Sequence, residues 1–275
     1  MKTKKIGFIG GGNMANSLIS GLIASGHSAQ QIWVADLDQE KLSSLATSMH
    51  INTSATNDAL IAEVDVVVLA VKPQAIAAVI KSSIGSFNKA NVLLVSIAAG
   101  INQASLSKWL GADKAIVRCM PNTPALVQTG ATGLHANKNV TEEQHDLAEN
   151  IMRSVGISVW VENESELDAV TAVSGSGPAY FFLLMEAMEK SALELGLSRH
   201  TAQLLIEQTA LGAARIALES TESPEELRHR VTSPGGTTEQ AIITFERGGF
   251  TELVRNALQA ANDRSISLSK ELGAE

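Results

Sequence analysis

The sequence predicts an α/β fold in which a parallel-sheet domain is followed by an all-helical domain. From residue 5 to about 161, short apolar runs alternate with helix-like stretches, a pattern typical of βαβ units. The first apolar run leads directly into the glycine turn 10–12. After Glu164, apolar residues recur at helical spacing in long blocks, and strand-like alternation ends. We therefore expect two domains, residues 1–162 and 163–275.

The first domain should contain six clear strands, one weaker strand and five helices. The strands are predicted at 6–10, 32–36, 64–71, 91–97, 115–120 and 158–161, and the weaker one at 132–135. The helices are predicted between them at 14–25, 39–49, 73–83, 103–109 and 141–155. The last helix begins with Thr141-Glu142-Glu143-Gln144, which has the form of a capping box.

The second domain should contain five helices, at 180–195, 198–219, 223–231, 238–247 and 251–272. Gly196 suits the end of the first of them. Ser223, Pro224 and Glu226 suit an N-cap, a first-turn proline and a capping glutamate. These helices are more apolar than one bundle of this size requires, so we expect part of their surface to pack against a second copy of the chain.

Composition excludes several classes of protein. Of the 275 residues, 45% are hydrophobic and 18% charged, as in a globular protein, and the net charge of -8 without a Lys/Arg stripe argues against nucleic-acid binding. No apolar run approaches the ~20 residues that span a bilayer, and the N-terminal run is too short for a signal peptide. Cys119 is the single cysteine, and we expect it to be a buried apolar residue. These features predict a cytosolic protein that binds small molecules and no metal.

The glycine turn has the form G-x-G-x-x-A, which is typical of the phosphate-binding entry of a Rossmann-type domain. Gly10 permits a tight turn between strand and helix, and Gly12 lets a pyrophosphate approach the backbone. Ala15 lets the helix lie close to the strand, and the helix N-terminus then faces the phosphates. An ordinary tight turn between a strand and a helix is the alternative.

Ligands of an open parallel sheet bind at the carboxyl ends of its strands, so the loops 36–38, 70–73, 97–100 and 120–124 are candidate site segments. A carboxylate at Asp36 can accept hydrogen bonds from an adenine-ribose hydroxyl and would repel a 2′-phosphate, which favours NADH. Alternatively, Asp36 and Asp38 cap the next helix, and Lys41 is near enough in sequence to meet a phosphate. The residues therefore leave the choice between NADH and NADPH open.

Two glycine-rich segments in the helical half, 174–180 and 232–238, combine small residues with hydroxyl groups. Backbone N–H groups exposed next to a helix N-terminus can hold a substrate carboxylate without a basic side chain. The alternative is that both segments are simple turns between helices.

Together these motifs resemble those of the pyrroline-5-carboxylate reductase family, over essentially the whole chain. The segments that carry the resemblance are Gly10-Gly11-Gly12-Asn13-Met14, Ala70-Val71-Lys72-Pro73, Ser96-Ile97-Ala98-Ala99-Gly100, Arg118-Cys119-Met120-Pro121-Asn122-Thr123-Pro124, Asp168-Ala169-Val170-Thr171, Ser174-Gly175-Ser176-Gly177-Pro178-Ala179-Tyr180 and Ser233-Pro234-Gly235-Gly236-Thr237-Thr238. The resemblance implies an enzyme of proline biosynthesis that uses NADPH or NADH to reduce the C=N bond of 1-pyrroline-5-carboxylate, giving L-proline. It also implies a helical domain that forms interleaved homodimers, with decamers in many members.

The resemblance assigns roles to individual residues. Cofactor-binding residues would be Ile9, Gly10, Gly11, Gly12, Asn13, Met14, Asp36, Asn57, Ala70, Val71, Lys72, Pro73, Ala98 and Ala99. Substrate-binding residues would be Ser233, Gly235, Gly236, Thr237 and Thr238, with Glu164 at the border of the site. Thr238 would face the ring nitrogen as the catalytic residue. Because a protonated imine is already a good hydride acceptor, a hydroxyl at that nitrogen can suffice.

Two other functions remain alternatives. Hydroxyacid dehydrogenases share the two-domain plan, but they use a lysine soon after a second glycine-rich segment. Here that segment is followed by Tyr180, Phe181 and Phe182, and the first lysine is Lys190. A non-catalytic nucleotide sensor would have no use for the loop 233–238.

Overall fold

The computed structural model describes residues 4–273 of the chain. Contacts between residues divide the chain into two units. The sheet unit comprises the residues up to Ser176 together with those from Ala260 onward, and the helical unit is Gly177–Gln259. Residues 163–176 and those from 260 onward, which the sequence analysis assigns to the helical domain, thus belong to the sheet unit by their contacts. The domain boundary after residue 162 stays a prediction.

The sheet unit is built on one eight-stranded sheet. Its strands are β1 Ile6–Ile9, β2 Ile32–Ala35, β3 Asn52–Thr53, β4 Val66–Leu69, β5 Leu93–Ser96, β6 Ile116–Met120, β7 Gly130–Ala136 and β8 Gly156–Trp160. They lie in the order β3-β2-β1-β4-β5-β6-β7-β8. The first six strands are parallel, β7 runs antiparallel to β6, and β8 is parallel to β7. The direction of the chain's path reverses between β1 and β4, where such sheets bind ligands.

Helices cover both faces of this sheet. They are α1 Asn13–Ala24, α2 Gln39–Met49, α3 Asn57–Glu63, α4 Ile76–Ser82, α5 Ile84–Lys89, α6 Gln103–Leu110, α7 Glu142–Arg153 and α8 Glu166–Val170. All residues of β1 and β4 are buried, as expected for a parallel sheet between two helical layers. In β4, Val66 and Val68 pack with α1 and α2, whereas Val67 and Leu69 pack with the helices of the opposite face.

A π-helical turn, Thr171–Gly175, follows α8. Its hydrogen bond runs from the Ser176 amide to the Thr171 carbonyl, 2.8 Å away, five residues back along the chain. The Ser174 carbonyl accepts a hydrogen bond from Asn122 Nδ2 at 3.0 Å. Asn122 is buried, and its Oδ1 also accepts from the Ala131 amide at 2.9 Å. The turn is therefore tied to the loop that follows β6.

The helical unit contains α9 Gly177–Glu194, α10 Arg199–Glu219, α11 Pro224–Arg230, α12 Thr237–Arg247 and the first part of α13, Phe250–Gly273. Many of its large apolar side chains are exposed, including those of Phe181, Phe182 and Leu211. No helix within residues 4–273 is both long enough and apolar enough to cross a membrane.

The predicted fold class is confirmed, and the structure adds elements that the sequence pattern missed. Strand β3 and helices α3, α5 and α8 were not predicted. The predicted strand 64–71 is too long, since only Val66–Leu69 form it. The segment 174–180 is mostly helical: residues 174 and 175 end the π-helical turn, Ser176 forms a bend, and residues 177–180 begin α9. Both capping boxes, at Thr141 and at Ser223, are present.

Buried His27 makes the stability of the fold dependent on pH. Its side chain is 2% exposed, and neither ring nitrogen has a hydrogen-bond partner among the described residues. Burial disfavours the imidazolium and lowers the pKa of His27. Below about pH 6.5 the unfolded chain binds a proton at His27 more readily than the folded chain does. The free energy of unfolding therefore decreases as the pH is lowered, by at most about 1.4 kcal/mol per pH unit.

We expect His27→Met to flatten this dependence, because methionine cannot titrate. Thermal unfolding measured between pH 7.5 and 5.5 should show a smaller loss of Tm than in the unmodified protein. Exposed His200 provides the control, and His200→Gln should keep the original slope. Parallel curves for His27→Met and the unmodified protein would show that His27 is not the responsible group.

Candidate active site

The glycine turn joins β1 to α1 and brings two strand ends together. Gly10 has φ of +101°, and a Cβ at this position would lie 2.8 Å from the backbone carbon and oxygen of Ala70. A Cβ at Gly12, by contrast, would meet no atom within 4 Å. Gly10 is therefore required by the packing of the loop after β4, whereas the space beside Gly12 is open.

The N-terminus of α1 is free to hold an anion. Gly12 is its N-cap, no side chain caps the helix, and its first turn carries no acidic residue. The unpaired N–H groups and the positive end of the helix dipole both favour a phosphate here. The open space beside Gly12 and this uncapped helix fit the pyrophosphate of a dinucleotide.

Asp36, at the carboxyl end of β2, is bonded to the protein itself. Its carboxylate accepts hydrogen bonds from the amides of Gly11 at 2.7 Å and Asp38 at 3.0 Å, and it pairs with Lys41 Nζ at 3.1 Å. Partial burial opposes ionisation, but the hydrogen bonds from Asp38, Gly11 and Lys41 together lower the pKa of Asp36. Asp36 is thus an ionised anchor for the glycine turn, and Lys41 balances its charge.

A cleft of about 630 Å³ lies beside the glycine turn. Five of the predicted cofactor residues line it, namely Ile9, Gly10, Asp36, Asn57 and Val71. The other predicted cofactor residues lie around the same edge of the sheet, in the turn after β1 and the loops after β4 and β5. They are Gly11, Gly12, Asn13, Met14, Ala70, Lys72, Pro73, Ala98 and Ala99.

The cleft also contains residues that the sequence motifs did not identify. They are Ala35, Ala55, Thr56, Asp58, Ala75, Ala78, Val79, Ser82 and Ser83. A signal for part of this set was present, because residues 75, 78, 79 and 82 follow the spacing of one helical face. Leu37 is fully exposed on the rim.

Glu164 lies in the sheet unit, away from the glycine turn in sequence but close to the start of α6. Its Oε1 atom accepts hydrogen bonds from the Gln103 amide at 2.6 Å and from Arg118 Nη1 at 3.0 Å. Glu164 and Arg118 also line a cavity of about 240 Å³ with Asn102 and Asp168. Both of these hydrogen bonds are to the same oxygen, Oε1, and both donors belong to the chain itself.

The second glycine-rich loop lies in the helical unit and leads into α12. Gly235 has φ of +69°, and its amide donates to Glu239 Oε2 at 2.8 Å. Gly236 is the N-cap, no side chain caps α12, and the helix begins with exposed Thr237 and Thr238. The first turn carries the acidic Glu239, whose carboxylate is engaged by the Gly235 amide, and the amides of Thr237 and Thr238 can be offered to an anion such as a carboxylate.

The parallel sheet, the open glycine turn and the uncapped α1 define a dinucleotide-binding protein of the Rossmann type. Comparison with known proteins gives the family. A model of pyrroline-5-carboxylate reductase dimerisation matches residues 164–268, and a model of F420-dependent NADP oxidoreductases matches residues 5–100. A pyrroline-5-carboxylate reductase of Pseudomonas aeruginosa is 53% identical, over 99% of this chain and 100% of that protein. The chain belongs to the pyrroline-5-carboxylate reductase family.

Solved structures agree. A pyrroline-5-carboxylate reductase from Coxiella burnetii is similar with a TM-score of 0.94 and 48% identity, covering 97% of this chain and 99% of that one. The Plasmodium falciparum pyrroline carboxylate reductase with NADP bound is similar with a TM-score of 0.86 and 30% identity, covering 98% and 99%.

The two glycines should respond differently to substitution. Gly12→Ser adds a good N-cap in open space, so we expect Tm to stay the same or rise slightly, while the dissociation constant for NADPH rises at least about tenfold. Gly10→Ala forces a side chain into a left-handed conformation against the Ala70 backbone and should cost about 1–3 kcal/mol of stability. Thermal unfolding and titration of nicotinamide fluorescence measure the two effects. Unchanged NADPH binding in Gly12→Ser would contradict the assignment of this turn to the pyrophosphate.

Proposed function

We propose that this chain reduces the C=N bond of 1-pyrroline-5-carboxylate to give L-proline, with NADPH as the hydride donor. Family membership supports the reaction. The observation that carries it in the structure is that two glycine-rich loops each lead into a helix whose N-cap is a glycine and which no side chain caps, at Gly12 and at Gly236. One suits a pyrophosphate and the other a substrate carboxylate.

Residues in and around the cleft would hold the cofactor. The N-terminus of α1 would bind the pyrophosphate, Asp36 and Asn57 would lie on the adenosine side, and the loops 70–73 and 98–99 would lie on the nicotinamide side. When bound, the reduced nicotinamide supplies a hydride. NADPH is compatible with Asp36 because the carboxylate is already bonded to two amides and Lys41, and because Lys41 adds a positive charge there. The NADP in the Plasmodium falciparum structure supports the same choice.

The loop 233–238 would hold the substrate. The amides near Gly236, Thr237 and Thr238 would bind its carboxylate, and the Thr238 hydroxyl would face the ring nitrogen. Because the protonated imine is already electrophilic, the hydroxyl needs only to orient the ring and hydrogen-bond to nitrogen as it becomes an amine. This chain therefore contributes mainly position and orientation.

A homodimer formed through the helical unit is part of the proposal, and a decamer is a further step that we propose on the family resemblance. The exposed side chains of Phe181, Phe182 and Leu211 supply apolar surface for such an interface. We also propose a cytosolic location.

Cys119 is buried and free, and its burial raises the pKa of the thiol, so it has the properties of a packing residue rather than a reactive one.

The hydroxyacid dehydrogenase alternative gains no support from the structure. The first lysine after the segment 174–180 is Lys190, which is exposed and paired with Glu186 one helical turn away. Its side chain has the surroundings of a surface ion pair, not of a catalytic base.

The function is tested by following the loss of nicotinamide absorbance when the protein is mixed with 1-pyrroline-5-carboxylate and either NADPH or NADH. We expect the nicotinamide absorbance to fall and proline to form when 1-pyrroline-5-carboxylate and a reduced cofactor are both present. We expect kcat/KM to be higher with NADPH than with NADH. Binding of NADPH without any turnover would instead support a nucleotide sensor. A strong preference for NADH would show that Asp36 contacts the adenine ribose.

Thr238→Ala should lower kcat by about tenfold or more while the dissociation constant for NADPH stays within a factor of two. Thr238→Ser, which keeps the hydroxyl, should retain most of the activity. Thr244→Ala is the matched control, since Thr244 is exposed on the same helix and its hydroxyl bonds only to the Gln240 carbonyl among the described residues. Unchanged kcat in Thr238→Ala would remove Thr238 from the mechanism.

A further inference from the structure

Glu164 connects three separate parts of the sheet unit through one carboxylate oxygen. It precedes α8, its partner Arg118 lies in β6, and its other partner, Gln103, is the first residue of α6. The Arg118 side chain is only 6% exposed and that of Glu164 25%. A partly buried ion pair loses hydration on folding and contributes little net stability, so its geometry is the more informative property.

The amide of Gln103 depends on Glu164 for an acceptor. As the first residue of a helix, Gln103 has an N–H group with no partner inside the helix. Its side chain is fixed separately, because Nε2 donates to the His135 carbonyl at 3.0 Å and to the Ile116 carbonyl at 3.4 Å. Without an acceptor at residue 164, the N-terminus of α6 would lose a short hydrogen bond at 2.6 Å.

The loop 97–102, between β5 and α6, is the element that this hydrogen bond fixes. At its first residue, the Ile97 amide donates to the Leu69 carbonyl at 3.3 Å. Near its end, Gly100 has φ of +72°, and a Cβ there would lie 3.0 Å from Leu268 and 3.1 Å from Leu272. The loop carries Ala98 and Ala99, which we place on the nicotinamide side of the cleft. Glu164 thus holds the end of a loop that is already closely packed at Gly100.

We propose that Glu164 is a positioning residue for the cofactor: it fixes the loop 97–102 through the Gln103 amide and does not bind the substrate. The proposal rests on the proposed function, since that function places the loop beside the nicotinamide. It predicts that the hydrogen-bond acceptor at residue 164, more than the negative charge, determines cofactor affinity. A direct substrate contact would instead affect the KM for 1-pyrroline-5-carboxylate.

The test compares Glu164→Gln with Glu164→Leu, each combined with Arg118→Met so that no unpaired charge is buried. The two double variants differ only in whether residue 164 can accept from the Gln103 amide. Titration of nicotinamide fluorescence with NADPH, in the absence of substrate, should give a dissociation constant at least fivefold higher for the Leu variant. The KM for 1-pyrroline-5-carboxylate, where turnover is measurable, should agree between them within twofold. Equal NADPH affinities, or a change confined to that KM, would overturn the proposal.

Two further measurements keep the test decisive. If the double variants do not fold, the single variants Glu164→Gln and Glu164→Leu are compared instead; there the glutamine oxygen can accept from both Arg118 and the Gln103 amide, whereas leucine accepts from neither. Hydrogen exchange of the segment 97–106 should also be faster in the Leu variant than in the Gln variant, and equal rates would count against the proposal. Cofactor titration and hydrogen exchange need no turnover, so failure of the proposed reaction would be seen separately, in the unmodified protein.

Discussion

The close approach of Gly10 to the backbone of Ala70 is the constraint on which the site depends. It joins the ends of β1 and β4, the adjacent strands between which the order of the sheet reverses. The left-handed conformation of Gly10 turns the chain sharply into α1, so the uncapped end of that helix lies beside the strand ends. One turn therefore contains a position closed by backbone, at Gly10, and a position open to a phosphate, at Gly12.

Two carboxylates of the sheet unit bond to backbone amides. Asp36 accepts from Gly11, and Glu164 accepts from Gln103, and each is also paired with a basic side chain. Both carboxylates thus fix a turn or a helix start next to a proposed cofactor segment. Such residues affect ligand binding through the geometry of the backbone, which a motif cannot distinguish from direct contact.

Much of the fold could be predicted from the sequence, because long periodic segments specify their own structure. The bounds of α2 follow directly from its apolar spacing and the Asp38 cap. Strand β3 could not be predicted, since its two residues, Asn52 and Thr53, form a strand only by pairing with β2. For the site, glycine motifs indicated the turn at Gly10, but the partners of Glu164 are 46 and 61 residues away in sequence and follow only from the tertiary fold.

The π-helical turn at Thr171–Gly175 implies a constraint on chain length. A π turn holds one residue more than an α turn between bonded groups, so it behaves as a single-residue insertion within a helix. Removing one residue there would allow a regular helix and improve the local hydrogen bonding. It would also change the direction of the Ser174 carbonyl, leaving the buried amide of Asn122 without its acceptor. The length of this segment is therefore fixed by a side chain some 50 residues earlier in the chain.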